Sequence, residues 1–479
     1  MIIVNKNTNA KKIIAIATVL TVLVAQSIYY NKKTRSVVRQ ATSIQSNVQH
    51  SSSTQSIRYD QKRLIVRTKS KSVFKNIKEI KSVRHFLNDT YILQVNNIEI
   101  VEQILKAKSE IISVERNSIQ RVGVASTQSL PYFKTPQNQQ VPKNNLLNSE
   151  HFNDPGVSSM WHIRDASRAG ITLNKAYTAF KDKTSQEIIV AVVDTGVDIN
   201  HEDLKSVMWA NSDEIPNNKI DDDKNGYIDD INGINTSERD ANGDATNKIM
   251  DKHSHGTHVS GIIAAKQNNK KGVAGIASNV KIMALKTVPA DTDETDIDVA
   301  EAFLYAAKNG AKIINCSFGK RINEGRNLIP DTLKYIADEY GVLVVIAAGN
   351  YAQDIDKKPL YPASHKNDNT IVVASTTSSA DLSSFSNYGF IGVDVAAPGD
   401  SIYSTVLNNK YAMYSGTSMA TPVVAGIAAE IWSHYPHLKY NEIKNIIMKS
   451  ATYSDILKKK VVSEGRADLY NSYLTAEKL

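Results

Sequence analysis

The sequence predicts an α/β protein, a parallel sheet with helices on both faces, preceded by a small α+β sandwich of ferredoxin-like shape. Three observations carry this prediction. From residue 153 onward, five runs at 188–193, 281–285, 311–315, 342–348 and 370–374 are too apolar to face water on either side. Strands of that kind must be covered on both faces. Helical patterns at 256–266, 296–309 and 331–340 lie between them, the last two stopped by Gly310 and Gly341. Such alternation builds a parallel sheet with crossover helices, and functional groups then collect at the C-terminal ends of the strands. Ahead of this region, shorter patterns in the order β-α-β-α-β suggest the small sandwich.

The elements follow in chain order. The chain has 479 residues, room for one large domain, a smaller one and linkers. Lys6, Lys11 and Lys12 precede the apolar run Ile13 to Ala25, which ends in Ala25-Gln26-Ser27. A basic start, a short apolar stretch and a small-x-small site form an export signal, and about 13 apolar residues are few for a membrane span. Residues 1–27 are therefore expected to be a signal peptide. If Ile28, Tyr29 and Tyr30 extend the run uncut, residues 13–30 become a membrane anchor. Both place the rest of the chain outside the cytoplasm, secreted or in the cell envelope.

Residues 28–61 are expected to be a flexible linker, because 36–57 is rich in Ser, Gln, Thr and Asn and buries too little to offset chain entropy. In 62–122 the expected elements are strands at 63–67, 90–95 and 111–115, helices at 72–81 and 98–108, and a fourth strand near 118–122. Residues 123–152 return to Gln, Asn, Pro and Ser and read as an exposed connector open to proteolysis. Residues 153–479 form the large domain.

Charge divides the same way. There are 23 basic and 8 acidic residues before position 151, against 34 and 41 after it, leaving the two parts near +15 and −7. The acidic balance speaks against nucleic-acid binding by the large domain and suggests attachment of one part of the chain to the other. Cys316 is the only cysteine, so no intramolecular disulfide is possible.

Three segments carry chemistry. Asp194 closes the first apolar strand, where a carboxylate needs a strong hydrogen-bonding partner. His255, within His253-Ser254-His255-Gly256-Thr257-His258, opens an apolar helix. Ser418 lies in Gly416-Thr417-Ser418-Met419-Ala420-Thr421-Pro422, at the expected N-terminus of a buried helix with proline in its first turn. Alone it reads equally as a helix cap or a nucleophile. Together the three supply nucleophile, base and orienting acid.

These motifs, in the order Asp194, His255, Ser418, resemble the three signatures of the subtilisin-like serine proteases, the subtilases. The resemblance covers residues 153–479. It implies a subtilisin-like parallel sheet, Ser418 as nucleophile, His255 as general base and then acid, and Asp194 as its orienter. It assigns Asn350, after the strand Val342 to Ala348, to the oxyanion hole with the Ser418 backbone N–H. Ser317 and Gly319, in Asn315-Cys316-Ser317-Phe318-Gly319, match the segment whose main chain pairs with peptide substrates. Tyr351 follows the oxyanion asparagine where it could shape a substrate pocket, and Cys316 reads as a buried strand residue. Residues 62–122 are implied to be an inhibitory propeptide, removed by cleavage within 123–152.

One further loop suggests calcium. Asp221, Asp223, Asn225 and Asp229 take positions one, three, five and nine of a pattern like the start of an EF-hand loop, with Gly226 at six. Tyr227 would contribute at seven. Asn232 stands where the bidentate glutamate is expected, so that ligand must come from elsewhere. No catalytic cofactor is implied, and a monomer acting on protein or peptide substrates is expected. An α/β-hydrolase esterase fits less well: the Ser418 motif lacks the last glycine of G-x-S-x-G, and the order Ser, acid, His is absent. A catalytically silent subtilase fold used for binding is opposed by the intact Asp194, His255, Asn350 and Ser418.

Overall fold

A computed structural model describes residues 58–119, 151–165, 169–180, 182–289, 294–321, 323 and 327–479. The expected signal at 1–27, the linker up to residue 57 and the connector from 123 to 150 lie outside the described residues.

The small domain consists of β1 (Arg58–Thr68), β2 (Ile80–Leu87), β3 (Thr90–Val95), α1 (Ile98–Lys106) and β4 (Ile111–Ile119). Its sheet is antiparallel in the order β2-β3-β1-β4. The ferredoxin-like expectation holds in outline and is corrected in three details. In place of a helix over 72–81 there is one 3-10 turn, Lys71–Phe74, followed by strand β2, which the sequence reading missed. Asn76 at φ +67° breaks any continuing helix, and Ile80 and Val83 gain more by pairing with β3. Strand β1 starts at Arg58, inside the expected linker, and β4 runs unbroken to Ile119. Asn97 caps α1 by accepting from the Ile100 amide at 3.0 Å.

Both faces of this sheet are occupied. Leu64, Val66, Leu93 and Val95 pack on Val101 and Leu105 of α1. On the opposite face, Ile65 and Ile92, each next in sequence to one of these, join Leu87 in a cluster with the large domain.

The large domain comprises α2 (Leu173–Phe180), β5 (Ile188–Asp194), β6 (Asn235–Arg239), β7 (Ala245–Thr246), α3 (His255–Ala264), β8 (Val280–Lys286), α4 (Asp296–Lys308) and β9 (Ile313–Cys316). It continues with α5 (Leu328–Tyr340), β10 (Leu343–Ala347), β11 (Thr370–Thr376), β12 (Val395–Pro398), β13 (Ile402–Val406) and β14 (Lys410–Tyr414). The chain then forms α6 (Thr417–His434), α7 (Tyr440–Lys449), β15 (Thr452–Tyr453), β16 (Gly465–Arg466) and α8 (Leu469–Ala476). One ten-stranded sheet has the order β15-β16-β12-β11-β10-β9-β5-β8-β6-β7, its central strands β12 to β8 all parallel. Residues of α2, α3, α6, α7 and α8 form the core on one face, and those of α4 and α5 the core on the other. Gly341 ends α5 at φ +68°, as expected. No helix among the described residues is long and apolar enough to cross a membrane.

The small sheet seats on α4 and α5 through arginines. Arg84 holds Glu301 at 2.6 and 2.9 Å, Arg63 holds Asp298 at 2.7 Å, and Arg67 holds Asp331 at 2.6 Å. Arg239 of the large domain lies between them, bonded to Asp298 at 2.5 Å and Glu301 at 2.8 Å. Asp298 and Glu301 are nearly inaccessible. The charge split read from the sequence thus becomes a buried ion network, in which the arginines hold the Glu301 carboxyl far below the ordinary range against the opposing effect of burial.

Candidate active site

Strand β5 carries Asp194 as its last residue, and α3 begins on His255. His255 Nδ1 donates to Asp194 Oδ1 at 2.7 Å, and both side chains are buried. Asp194 Oδ1 also accepts from the Thr195 amide at 2.7 Å. With Nδ1 spent as a donor to an acceptor-only carboxylate, Nε2 is left with a lone pair, and it makes no hydrogen bond among the described residues. Burial alone pulls this imidazole down, yet the charge of Asp194 and its hydrogen bond outweigh burial and hold it above its ordinary value.

Close approach of helix to strand requires two glycines. A Cβ on Gly256 would fall 2.1 Å from Gly196 O and 3.1 Å from Asp194 Cβ. Gly196 itself turns the chain at φ +103°, where a Cβ would meet Ile249 O at 2.3 Å. Asp251 braces the start of α3, accepting from His253 N at 2.7 Å and from Thr257 N and Oγ1 at 3.1 and 2.7 Å. Thr195 donates to Asp251 at 3.0 Å and accepts from Gly256 N at 3.0 Å, tying strand end to helix start. Neither Thr195 nor Asp251 is marked by the motifs. An aspartate shortly before an apolar helix is the signal that could have found Asp251.

The neighbouring histidines differ in state from His255. Burial pushes His258 down to about 3, and it stacks on Tyr414 with its Nε2 3.1 Å from two backbone carbonyls. His253 is lowered by burial and then by the charge of His255. Among these three, His255 alone is shifted toward the protonated form.

Ser418 sits in the first turn of α6, and Asn350 follows the end of β10. Pro422 falls one turn later than expected, inside the helix rather than in its first turn. Asn350 Oδ1 accepts from Thr417 N at 2.8 Å and Thr417 Oγ1 at 2.9 Å, which leaves its amide NH₂ as the donor end. Thr417 thereby fixes the orientation of the Asn350 side chain, a contact the motif itself does not reveal. Asn387 fixes the same turn, donating to Ala348 O at 2.7 Å and accepting from Tyr351 N at 3.0 Å. The Ser418 hydroxyl donates to Ser317 O at 2.9 Å. Ser317 and Gly319 lie beyond the end of β9, where the Ser317 hydroxyl also donates to Ser418 O at 3.0 Å. Tyr351 stacks under Arg321, with the guanidinium 4.3 Å from the ring centre. Cys316 is fully buried in β9, and burial pushes its thiol well above the usual range, so it stays protonated.

The acidic loop gathers differently from its motif. Asp221 and Asp223 meet Glu214, the three carboxylates lying within 4.8 Å of one another. Glu214 is buried and lies outside the motif, so only the tertiary structure reveals it. Asn225 donates to Asp223 at 2.8 Å, whereas the Tyr227 hydroxyl turns to Glu301 at 3.0 Å and Asp229 accepts from the amides of Asn218 and Lys219. Asn232 donates to Trp209 O at 2.6 Å. Three clustered carboxylates are hard oxygen donors of the kind that suit calcium.

Comparisons with known proteins agree with this geometry. A family model described as the subtilase family matches residues 185–469. Subtilisin-like protease 1 of Plasmodium berghei is 31% identical over 397 residues, covering 79% of this chain and 63% of that protein. Thermitase of Thermoactinomyces vulgaris is 38% identical over 239 residues, 50% of this chain and 72% of that one. Among solved structures, the epidermin leader peptide processing serine protease of Staphylococcus aureus superposes with a TM-score of 0.62 at 22% identity. It covers 86% of this chain and 98% of its own, a likeness of fold. The chain spans less than two thirds of the Plasmodium berghei protein's length.

Proposed function

From a chain that belongs to the subtilase family, we propose an exported serine endopeptidase, made as an autoinhibited zymogen and hydrolysing peptide bonds through an acyl-enzyme. The observation that carries this reading is the buried Asp194–His255 bond at the end of β5, which leaves Nε2 as a base of raised basicity. Ser418 Oγ leaves Ser317 O, gives its proton to Nε2 and attacks the peptide carbonyl. Asp194 stabilises the imidazolium that forms. Negative charge on the carbonyl oxygen is met by Asn350 Nδ2, aimed by Thr417, and by the Ser418 N–H at the start of α6. His255 then protonates the leaving amine, and water, activated by the same imidazole, releases the acyl group. Ser317 and Gly319 receive the substrate as an added strand through main-chain groups.

Residues 62–122 act as the chain's own inhibitor, held on α4 and α5 by the Arg63, Arg84 and Arg67 pairs, until cleavage in 123–152. Calcium would be held by Glu214, Asp221 and Asp223, within the loop that also carries Asn225, Tyr227 and Asp229, and would stabilise the fold without entering the reaction. The protein works as a monomer outside the cytoplasm, secreted or retained through residues 13–30. A serine-directed fluorophosphonate tests the active site: it labels the mature protein and spares Ser418→Ala. Absence of label on the mature protein refutes the proposal and favours a binding role. Self-processing is tested by purified Ser418→Ala, which stays at precursor length; maturation of that variant would show an external protease instead.

A further inference from the structure

Pro422 creates an unanswered acceptor. Helical bonds run from each N–H to the carbonyl four residues earlier, so the carbonyl of Ser418 awaits a donor at position 422. Proline has no N–H to give. Ser418 is 6% exposed, so a bare carbonyl there carries the cost of an unpaired buried group.

The missing donor comes from outside the helix. Ser317 Oγ reaches Ser418 O at 3.0 Å, and Asn315 Nδ2 reaches Ser317 Oγ at 2.9 Å, fixing the direction of that hydroxyl. Ser418 Oγ returns a bond to Ser317 O at 2.9 Å. Asn315 and Ser317 are 0% and 2% exposed, too buried for water to replace them. On the other side of the nucleophile, Asn350 Oδ1 holds the Thr417 amide at 2.8 Å. The amide of Thr417 and the carbonyl of Ser418 are therefore both gripped by side chains from neighbouring strand ends.

We propose that Asn315 and Ser317 are positioning residues for the nucleophile, acting through their side chains on the Ser418 carbonyl that Pro422 leaves free. The inference rests on the protease reading above and extends the part of Ser317 beyond main-chain contact with substrate. In this arrangement the proline withdraws one helical bond so that the substrate-binding segment, rather than the helix, sets the backbone of Ser418. Small errors in that setting displace the hydroxyl and the oxyanion-binding N–H together.

The test is a double-mutant cycle on purified, matured enzyme with a peptide substrate. Ser317→Ala is expected to lower kcat about 10-fold with KM within about twofold, since it leaves a buried acceptor unpaired at the reacting residue. Ser317→Thr, which keeps the hydroxyl, restores most of kcat. In a Pro422→Ala background residue 422 regains its N–H, and Ser317→Ala then costs no more than about twofold. An equal loss in both backgrounds, a loss confined to KM, or no loss overturns the proposal. Should Ser317→Ala fail to fold by thermal unfolding, Asn315→Ala in the two backgrounds decides in its place by the same pattern. Failure of the protease reading is distinct, because the parent enzyme would then show no Ser418-dependent hydrolysis at all.

Discussion

Replacing Arg84 by Met should loosen the small domain from α4 without unfolding the large one. Arg84 makes two bonds to Glu301, whose side chain is 2% exposed, while the arginine is itself 37% exposed. Removing one partner of a fully buried pair costs roughly 3–5 kcal/mol. Two features reduce that figure: the guanidinium is partly wetted, and Glu301 keeps Arg239 at 2.8 Å and the Tyr227 hydroxyl at 3.0 Å. About 2 kcal/mol remains, roughly a 30-fold change in an opening equilibrium. A domain of about 60 residues is marginal once undocked, so opening exposes its own ladder. The assay is native-state hydrogen exchange of the β1–β3 amides, such as those of Leu64 and Leu93, in the Ser418→Ala precursor. Exchange is expected to quicken about 30-fold in Arg84→Met and to change little in Lys106→Met, whose pair with Glu102 is 60% exposed at the lysine. Equal exchange in the two variants would refute the reasoning. The pH dependence has a definite sign. Glu301 is depressed in the folded chain, so its contribution is complete above the ordinary carboxylate value and fades as pH falls toward the folded one. Docking therefore begins to weaken as pH drops below the ordinary carboxylate range and goes on weakening further into acid.

Other outcomes follow from the same geometry. Because His255 is raised, the acid limb of kcat/KM should lie above the value of a free imidazole, activity growing as pH rises through it. Asp194→Asn should move that limb to lower pH and cut kcat by about 10⁴, measured by a pH–rate profile; an unmoved limb would separate Asp194 from the titration. Asn350→Leu should cost about 10²–10³ in kcat with little change in KM, the magnitude being that for one oxyanion donor in a subtilisin. Calcium should raise the unfolding temperature of the intact chain and fail to do so in Glu214→Gln/Asp221→Asn, followed by calorimetry with and without chelator; an equal rise in both would place the ion elsewhere.

Much of this protein was readable before any coordinate. Uniformly apolar runs such as Ile188 to Val193 determine buried parallel strands, because a strand with no polar face cannot border water. The positions of Asp194, His255, Ser418 and Asn350 were equally legible, since each lies within a few residues of a strand end or helix start whose position the local pattern marks. Strand β2 lies where a helix over 72–81 was expected, because local pattern and tertiary pairing disagreed: Asn76 in a left-handed conformation stops a helix there, and the chain from Ile80 pairs with β3 instead. The acidic loop shows the same limit, for Asp221 and Asp223 are neighbours in sequence while Glu214 joins them by folding. What only the tertiary structure decided are the partners of buried polar groups: Thr195 with Asp251, Thr417 with Asn350, Ser317 with Ser418, Arg84 with Glu301. Periodicity and motif determine which groups will be buried. The identity of each partner depends on where distant strand ends and helix starts meet, because a hydrogen bond or ion pair forms only within about 3 Å and no local pattern encodes that coincidence.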